Sequence, residues 1–287
     1  MAGSTTISLN DLLPTIVQEA LFVANERSIM RNLVKNYSLA PAQGKTIQVP
    51  IYPVQTAVSV TEGDEVTNTE VSTNVATFNV GQVGIRTLVT DLALNASASN
   101  VVSDLGRLFG DAIAKKIDQD LMAKFADFTT NTIGSSSTTI TAALLMQGLT
   151  KLKAAGVPTD GLACVLHPSV AYDLKAALTN QGAVAFTGGA YGEIANEAMR
   201  MGYVGTLFGM TVFESSNAPL VPGGAAGDYQ GAIFHPDALG FGLMRDIQIE
   251  TQRRASFLGT DIVASAMYGV GTVYEGYGVS AVFDSTI

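Results

Sequence analysis

The chain has 287 residues and a formal net charge of −9, which excludes a protein whose main work is gripping nucleic-acid phosphates. At 47% hydrophobic and only 14% charged residues it can bury a sizeable core and is not disordered by composition; so few charges also imply that partners cover part of the surface. A single cysteine, Cys164, rules out an intrachain disulfide framework and fits a reducing compartment.

The opening segment, MAGSTTISLNDLLPTIVQEALFVAN, lacks a basic start, and Asp11 and Pro14 interrupt its apolar run, so it does not read as a signal peptide. No stretch approaches the roughly 18 uncharged apolar residues of a membrane span. The chain is expected to be soluble, cytosolic where it is made, and without a membrane partner. Residues 1–10 are small and polar, a loose arm. Pro14 suits a first helical turn. Ile16, Ala20, Val23, Ile29 and Leu33 then recur near helical spacing, predicting a helix over 16–33 that Pro41 and Gly44 end.

The period changes over 46–90. TIQVPIYPV puts Ile47, Val49 and Ile51 on one face, and Pro50 and Pro53 mark an edge strand or bend. VSVTEGDEVTNTEVSTNVATFNV, at 58–80, reads as two alternating strands around an acidic tip, and VATFNVGQVGIRTLVT as the returning arm. Arms of about a dozen residues would reach roughly 40 Å. A lone two-stranded hairpin is marginal in water, so either the rest of the chain or another copy must cover it.

NASASN offers N-caps for a long helix over 101–128. Its apolar stripe is Val101, Leu105, Leu108, Ala112, Ile113, Ile117, Leu121, Phe125 and Phe128. Asp111 with Lys115 and Asp120 with Lys124 stand at i,i+4 spacing. Gly106 and Gly110 lower helix propensity and imply a close backbone neighbour. NTIGSSSTTI reads as a loop. Residues 141–235 read as α/β: a helix over 141–155 ending at Gly156, the buried strand LACVLHP, the helix PSVAYDLKAAL, a Gly-rich stretch at 182–192, the short helix GEIANEAMRM, a strand pair around GTLFGMTVFESS, and the strand YQGAIFHP. From Gly240 long alternating strands dominate: IQIETQRRA, IVASAMYGVGTVYEG and YGVSAVF. There is no internal repeat.

Chemistry-bearing residues are sparse. His167 and His235 each stand in an HP pair at the end of an apolar strand, a position that favours a strand-end or helix-start role over a shared metal site with too few ligands. Cys164 lies among Ala163, Val165 and Leu166, where burial makes a thiol inert. GAVAFTGGAYGEI lacks the phosphate-loop pattern. TEGDE has too few carboxylates at calcium-loop spacing and reads as an acidic tip. Arg253 and Arg254 are the strongest basic pair, suited to carboxylates. No catalytic residue, metal or cofactor is expected.

What remains is an order of parts: an arm, a projecting hairpin, a long helix and an α/β body. That order resembles the major capsid proteins of tailed phages, with the Hong Kong 97-like fold. GKTIQVPIYP and VTEGDEVT sit in the extended loop, VLHPSVAYDLKAAL and GTLFGMTVFESSNAP in the axial domain, DIQIETQRR in the peripheral strands, and YGVSAVF at the end. The resemblance implies an α+β subunit divided as follows: N-terminal arm 1–40, extended loop with its peripheral-domain base 41–97, spine helix 98–131, axial domain 132–245, peripheral strands 246–273, and a C-terminal strand returning to the axial domain over 274–287. It implies a structural protein, not an enzyme, that assembles with itself into pentamers and hexamers of an icosahedral head. That head encloses double-stranded DNA without sequence-specific binding and assembles in the host cytoplasm to become the virion capsid. The implied partners are a portal protein, a decoration protein and a scaffolding protein, the last expected to be separate because the arm begins directly after Met1.

The same resemblance lays each extended loop over a neighbour's peripheral domain. Glu62, Asp64, Glu65 and Glu70 would then meet Arg27, Arg31, Arg245, Arg253 or Arg254 of adjacent copies. Residues 58–80 contain no lysine, so no covalent crosslink through the loop is expected. Two alternatives stand beside this one: an encapsulin-like cellular nanocompartment shell, and a small-molecule α/β enzyme supported by the Gly-rich 182–192 stretch.

Overall fold

A computed structural model describes residues 28–39, 44–92 except 53, 54, 56, 64 and 67–69, 101–180, and 206–287 except 226. In chain order the elements are α1 (Met30–Leu33), β1 (Lys35–Ser38), β2 (Thr46–Ile51), β3 (Asn74–Asn79), β4 (Gly81–Thr90), α2 (Val101–Met122), β5 (Thr132–Ser135), α3 (Ala142–Ala154), β6 (Ala163–Leu166), α4 (Pro168–Asn180), β7 (Thr206–Leu207), β8 (Met210–Glu214), β9 (Asp228–Phe234), β10 (Leu239–Arg254), β11 (Gly259–Thr272) and β12 (Gly278–Asp284). They form a four-stranded sheet ordered β1-β10-β11-β4, a six-stranded sheet ordered β5-β12-β9-β6-β8-β7, and the separate hairpin β2-β3.

The four-stranded sheet is half-buried, and its sequence says so. Along β4, Val83, Ile85 and Thr87 are half-buried and Val89 is buried, while Gly84, Arg86, Leu88 and Thr90 are exposed. This is the period-2 signature of a strand with one dry face. The dry face packs on α2. Leu105, Phe109, Ile113, Ile117 and Leu121 of the helix share one core with Val89, Ile262, Ala264 and Ala266. The Tyr268 hydroxyl of β11 donates to Asp120 of the helix at 2.8 Å. A second core fills the six-stranded sheet, where β6 (ACVL) is buried along its whole length and α3 and α4 pack with Leu145, Leu149, Leu152, Val170 and Leu174. Thr141 caps α3, its hydroxyl accepting from the Leu144 amide at 3.4 Å.

Two carboxylates pin the places where the chain crosses between units. Asp118 of α2, itself buried, accepts from the Ser28 hydroxyl at 2.8 Å and from the Ile29 and Met30 amides at 3.2 Å each, fixing the entry of the chain into α1. Glu275, in the connection from β11 to β12, accepts at one oxygen from the amide and hydroxyl of both Thr129 and Thr130, at 2.5–3.1 Å. It thereby ties that crossing to the one from α2 to β5.

The hairpin sits on the four-stranded sheet by close approach. Ile47 pairs with Phe78 in its register, and both side chains point at glycine positions. A Cβ on Gly271 would stand 2.1 Å from a Phe78 ring carbon, and one on Gly242 would stand 2.1 Å from Ile47 Cδ1. Only a strand without side chains there lets the hairpin base down onto the sheet.

Several expectations need correction. The paired arms of the hairpin are Thr46–Ile51 and Asn74–Asn79, not 58–80; residues 57–63, 65, 66 and 70–73 lie in no strand. Six pairs at about 3.3 Å each give a ladder of about 20 Å rather than 40 Å. Ladder pairing stops where the alternating apolar residues that seat on this chain run out. The supposed returning arm is two strands, with β3 closing the hairpin and β4 pairing β11 in another sheet. The Ser/Thr loop contains β5, which pairs parallel to β12. The long helix changes to a 3-10 turn over Ala123–Asp127, which still buries Phe125. Asp120 pairs with Lys116 at 2.7 Å, four residues before it, not with Lys124. Leu108, placed in the stripe, is 60% exposed. The 16–33 helix is seen only as α1; residues 1–27, the Gly-rich 182–192 stretch and the helix expected near 192–201 lie outside the described residues.

Candidate assembly surface

The hairpin loses cover along its length. At its base Ile47 and Phe78 are buried; beyond them Val49 and Ile51 are half-buried. Past the last ladder pair Tyr52, Val58, Val60, Val66 and Val71 are all exposed, Val58 and Val66 at 72% and 73%. Glu62, Glu65 and Glu70 stand exposed among them, and Asp64 lies outside the described residues. The result is a projecting tip that is apolar and acidic at once. Exposed apolar residues gathered on one projecting feature mark an interaction surface more than a solvated loop.

The arginines proposed to meet that tip divide into distinct kinds. Arg27 is outside the described residues. Arg31 is half-buried, with its guanidinium 5.5 Å from the centre of the Phe241 ring. Arg245 donates to the Ser265 hydroxyl at 2.9 Å. Arg253 is committed within the chain: its two terminal nitrogens grip both oxygens of Asp91 at 2.5 and 2.7 Å. Those bonds hold the Asp91 carboxyl below its ordinary range and push the guanidinium further up. Arg254 forms an ion pair with Asp261, its Nε 2.7 Å from Oδ2.

Two residues of this surface escaped the sequence reading. Arg86 of β4 donates to the same Asp261 oxygen at 2.8 Å. Asp261, 2% exposed, therefore sits between two guanidinium groups from the strands on either side of its own; its other oxygen, Oδ1, is buried without a hydrogen-bond partner among the described residues. The signal was present: a lone carboxylate inside the otherwise apolar GTDIVASAMYGV requires a cation when the strand is buried.

The residues considered for chemistry have structural roles. His167 Nδ1 accepts from the Ser169 amide and its ring stacks on Tyr229 with centres 3.6 Å apart; burial lowers its pKa. His235 Nδ1 accepts from the Asp237 amide. Each histidine starts a helical turn at the end of a strand, as expected. Cys164 is fully buried, and burial pushes its thiol up to about 12. Among the described residues no three His, Cys, Asp or Glu side chains gather to hold a metal ion.

The family model described as phage capsid protein matches residues 74–281, from β3 through most of β12. Among solved structures, the capsid of cyanophage P-SCSP1u is 20% identical with a TM-score of 0.70, covering 90% of this chain and 89% of that one. Mycobacterium phage Che8 is 21% identical at 0.68, covering 88% and 90%. A virus-like particle from Pyrococcus furiosus is 10% identical at 0.62, covering 94% and 98%. Identities this low speak to the fold, an α+β capsid fold. A comparison with curated proteins finds no match. With three of the four strands of one sheet, the six-stranded sheet almost entire, the long helix and the return of the hairpin inside the matched segment, this chain belongs to the phage capsid protein family.

Proposed function

We propose that this capsid protein builds an icosahedral phage head from pentamers and hexamers of itself, enclosing double-stranded DNA, and that each hairpin tip completes its burial against an adjacent copy. The observation that carries the reading is the fall of burial along the hairpin: seated on glycine at its base, bare at Val58 and Val66. The net charge of −9 supports an inner wall that does not trap the packaged duplex. The subunit divides into an arm (1–40), an extended loop and its base (41–97), a spine helix (98–131), an axial domain (132–245), peripheral strands (246–273) and a returning strand (274–287). A separate scaffolding protein, a portal and a decoration protein complete the partners, the particle assembles in the host cytoplasm, and the chain performs no catalysis.

The test is electron microscopy of the purified chain beside a variant whose residues 57–71 are replaced by a short Gly-Ser turn. Removing 58–80 outright would also delete buried Ala76 and Phe78 and so confuse folding with assembly. The full chain should form closed shells of uniform size, and the tip-less variant a folded subunit that does not close. Normal particles from the tip-less variant would overturn the assigned role. The second reading is a cellular compartment shell, since a virus-like particle from Pyrococcus furiosus, a cellular organism, has the same fold. An enclosed enzyme in place of packaged DNA would favour it.

A further inference from the structure

The solvent face of the four-stranded sheet carries a cluster of arginines, the charge opposite to that of the acidic tip. On that face, opposite the one packed on α2, lie Arg86 and Leu88 of β4, Asp261 and Ser265 of β11, and Gln248, Glu250, Gln252 and Arg254 of β10, because directly paired residues share a face. Arg86 donates to Asp261, Arg254 forms an ion pair with it, and Arg245 reaches Ser265 on the same side. Three arginines thus stand over two carboxylates, only one of which, Glu250, is exposed.

The buried carboxylate is the informative part. Asp261 Oδ2 takes one N–H from Arg86 and faces the Arg254 Nε at 2.7 Å, whereas each guanidinium carries five N–H donors. Arg86 and Arg254 keep side-chain exposures of 51% and 40%, so both are reachable from solvent. Arg254 is further held with its guanidinium 6.0 Å from the centre of the Phe257 ring. A long, flexible cation ordinarily gives up side-chain entropy when it makes a surface ion pair, which is why such pairs contribute little. Here a buried anion and a ring have already fixed the two forks. Arg253, by contrast, has both terminal nitrogens on Asp91.

We propose that Arg86 and Arg254, held in place by Asp261, form a preset receptor for carboxylates, and that its occupant is the Glu62–Glu70 tip of a second copy of this chain. Charge complementarity selects that occupant: Glu62, Glu65 and Glu70 are exposed on an apolar tip, and the receptor is cationic beside exposed Leu88. Asp261 acts as a positioning residue and does not touch the partner. The proposal rests on the reading that the tip docks on a neighbour, and it narrows the contact to one place.

Disulfide trapping in the full-length chain tests it. Cys164 is buried, so introduced cysteines supply the reactive thiols. A Glu65→Cys, Gln252→Cys variant, oxidised under assembly conditions, should give a ladder of linked chains on denaturing gels. Each single variant should give at most dimers. Alongside it, Arg86→Glu with Arg254→Glu should cut the yield of closed particles at least tenfold. Adding Glu62→Lys, Glu65→Lys and Glu70→Lys to the same chain should restore at least a third of it, because the attraction is reversed and not removed. Asp261→Asn should keep particles but make their yield fall more steeply with salt than in the parent, which a purely structural loss would not do. Absence of a ladder together with full particle yield from the double reversal overturns the receptor. If the variant lacking 57–71 still fails to close in that case, the docking reading stands and only this site falls; if it closes normally, both fall. If the reversed arginines lower the melting temperature and yield together, with neither ladder nor charge-swap rescue, the receptor is likewise refuted.

Discussion

Substituting Gly271 by alanine should unseat the hairpin, and the size of the effect follows from the geometry. The new methyl would stand 2.1 Å from Phe78 Cδ1, 2.7 Å from Cε1 and 3.0 Å from Cγ. Comfortable carbon–carbon contact is about 3.5–4.0 Å, so the ring must retreat by roughly 1.5 Å. Phe78 is 1% exposed and packs against Tyr37 with ring centres 5.9 Å apart, so it cannot move alone. Overpacking of this kind costs about 1–3 kcal/mol. For a chain of this size that lowers the melting temperature by roughly 2–5 °C. The decisive assay is a double-mutant cycle with Phe78→Ala, read by thermal or denaturant unfolding. Phe78→Ala alone should cost about 3–5 kcal/mol, and Gly271→Ala in that background should cost close to nothing, because the methyl then enters the space the ring vacated. If Gly271→Ala costs as much without the ring as with it, the glycine is not there for the hairpin and the seat is misread.

Three other outcomes follow from buried or shared groups. Cys164 should resist alkylation at pH 8 in the folded protein and react at once in denaturant. With its thiol pushed up to about 12 from 9.0, its contribution to stability is complete below pH 9 and is lost as pH rises from there towards 12, which unfolding measured against Cys164→Ala would show. Glu275, whose hydrogen bonds from Thr129 and Thr130 hold its carboxyl below the usual range, stabilises above the ordinary glutamate pKa. That stabilisation should disappear as pH falls through the lowered folded value, so wild type and Glu275→Ala should converge in acid. Asp118→Ala leaves the Ser28 hydroxyl and two amides without their acceptor; it should cost about 1–3 kcal/mol and raise hydrogen exchange first at residues 28–33, and unchanged exchange there would refute the anchor.

Much of the fold was legible because most of its elements follow one rule each. The stripe Leu105, Ile113, Ile117 and Leu121 has helical period and packs as such; ACVL is apolar throughout and lies in mid-sheet; VGIRTLVT alternates and has one dry face. The failures share a cause. Whether NVATFNV continues into GQVGIRTLVT or breaks at Val80 depends on which sheet each half joins, and both halves alternate equally well. β5 owes its existence to β12, nearly 150 residues away, and no local signal in TIGS announces that partner. At the candidate surface the acidic tip was visible from composition alone. The pairing of Arg253 with Asp91, and the grouping of Arg86 and Arg254 around Asp261, depend on registers between β4, β10 and β11 that periodicity does not fix.

The distribution of burial separates folding from assembly. The core under the four-stranded sheet and the core of the six-stranded sheet are each closed by residues of this one chain, with phenylalanines 109, 125, 128, 234, 241 and 283 fully buried. The hairpin core is small by comparison: Ile47, Ala76, Phe78 and Val273, with half-buried neighbours. On the proposed assembly, a subunit built this way should fold without its neighbours, the apolar residues left bare at the tip being interleaved with carboxylates that repel other tips. On the proposed docking, the same carboxylates select a cationic surface. Lattice strength would then be tunable at the tip and its proposed receptor without loosening either core. Substitutions at Val58, Val66 or Glu65 should shift the concentration at which shells appear while leaving the melting temperature of the free subunit unchanged. A parallel loss of both would mean that the tip is folded against its own body after all.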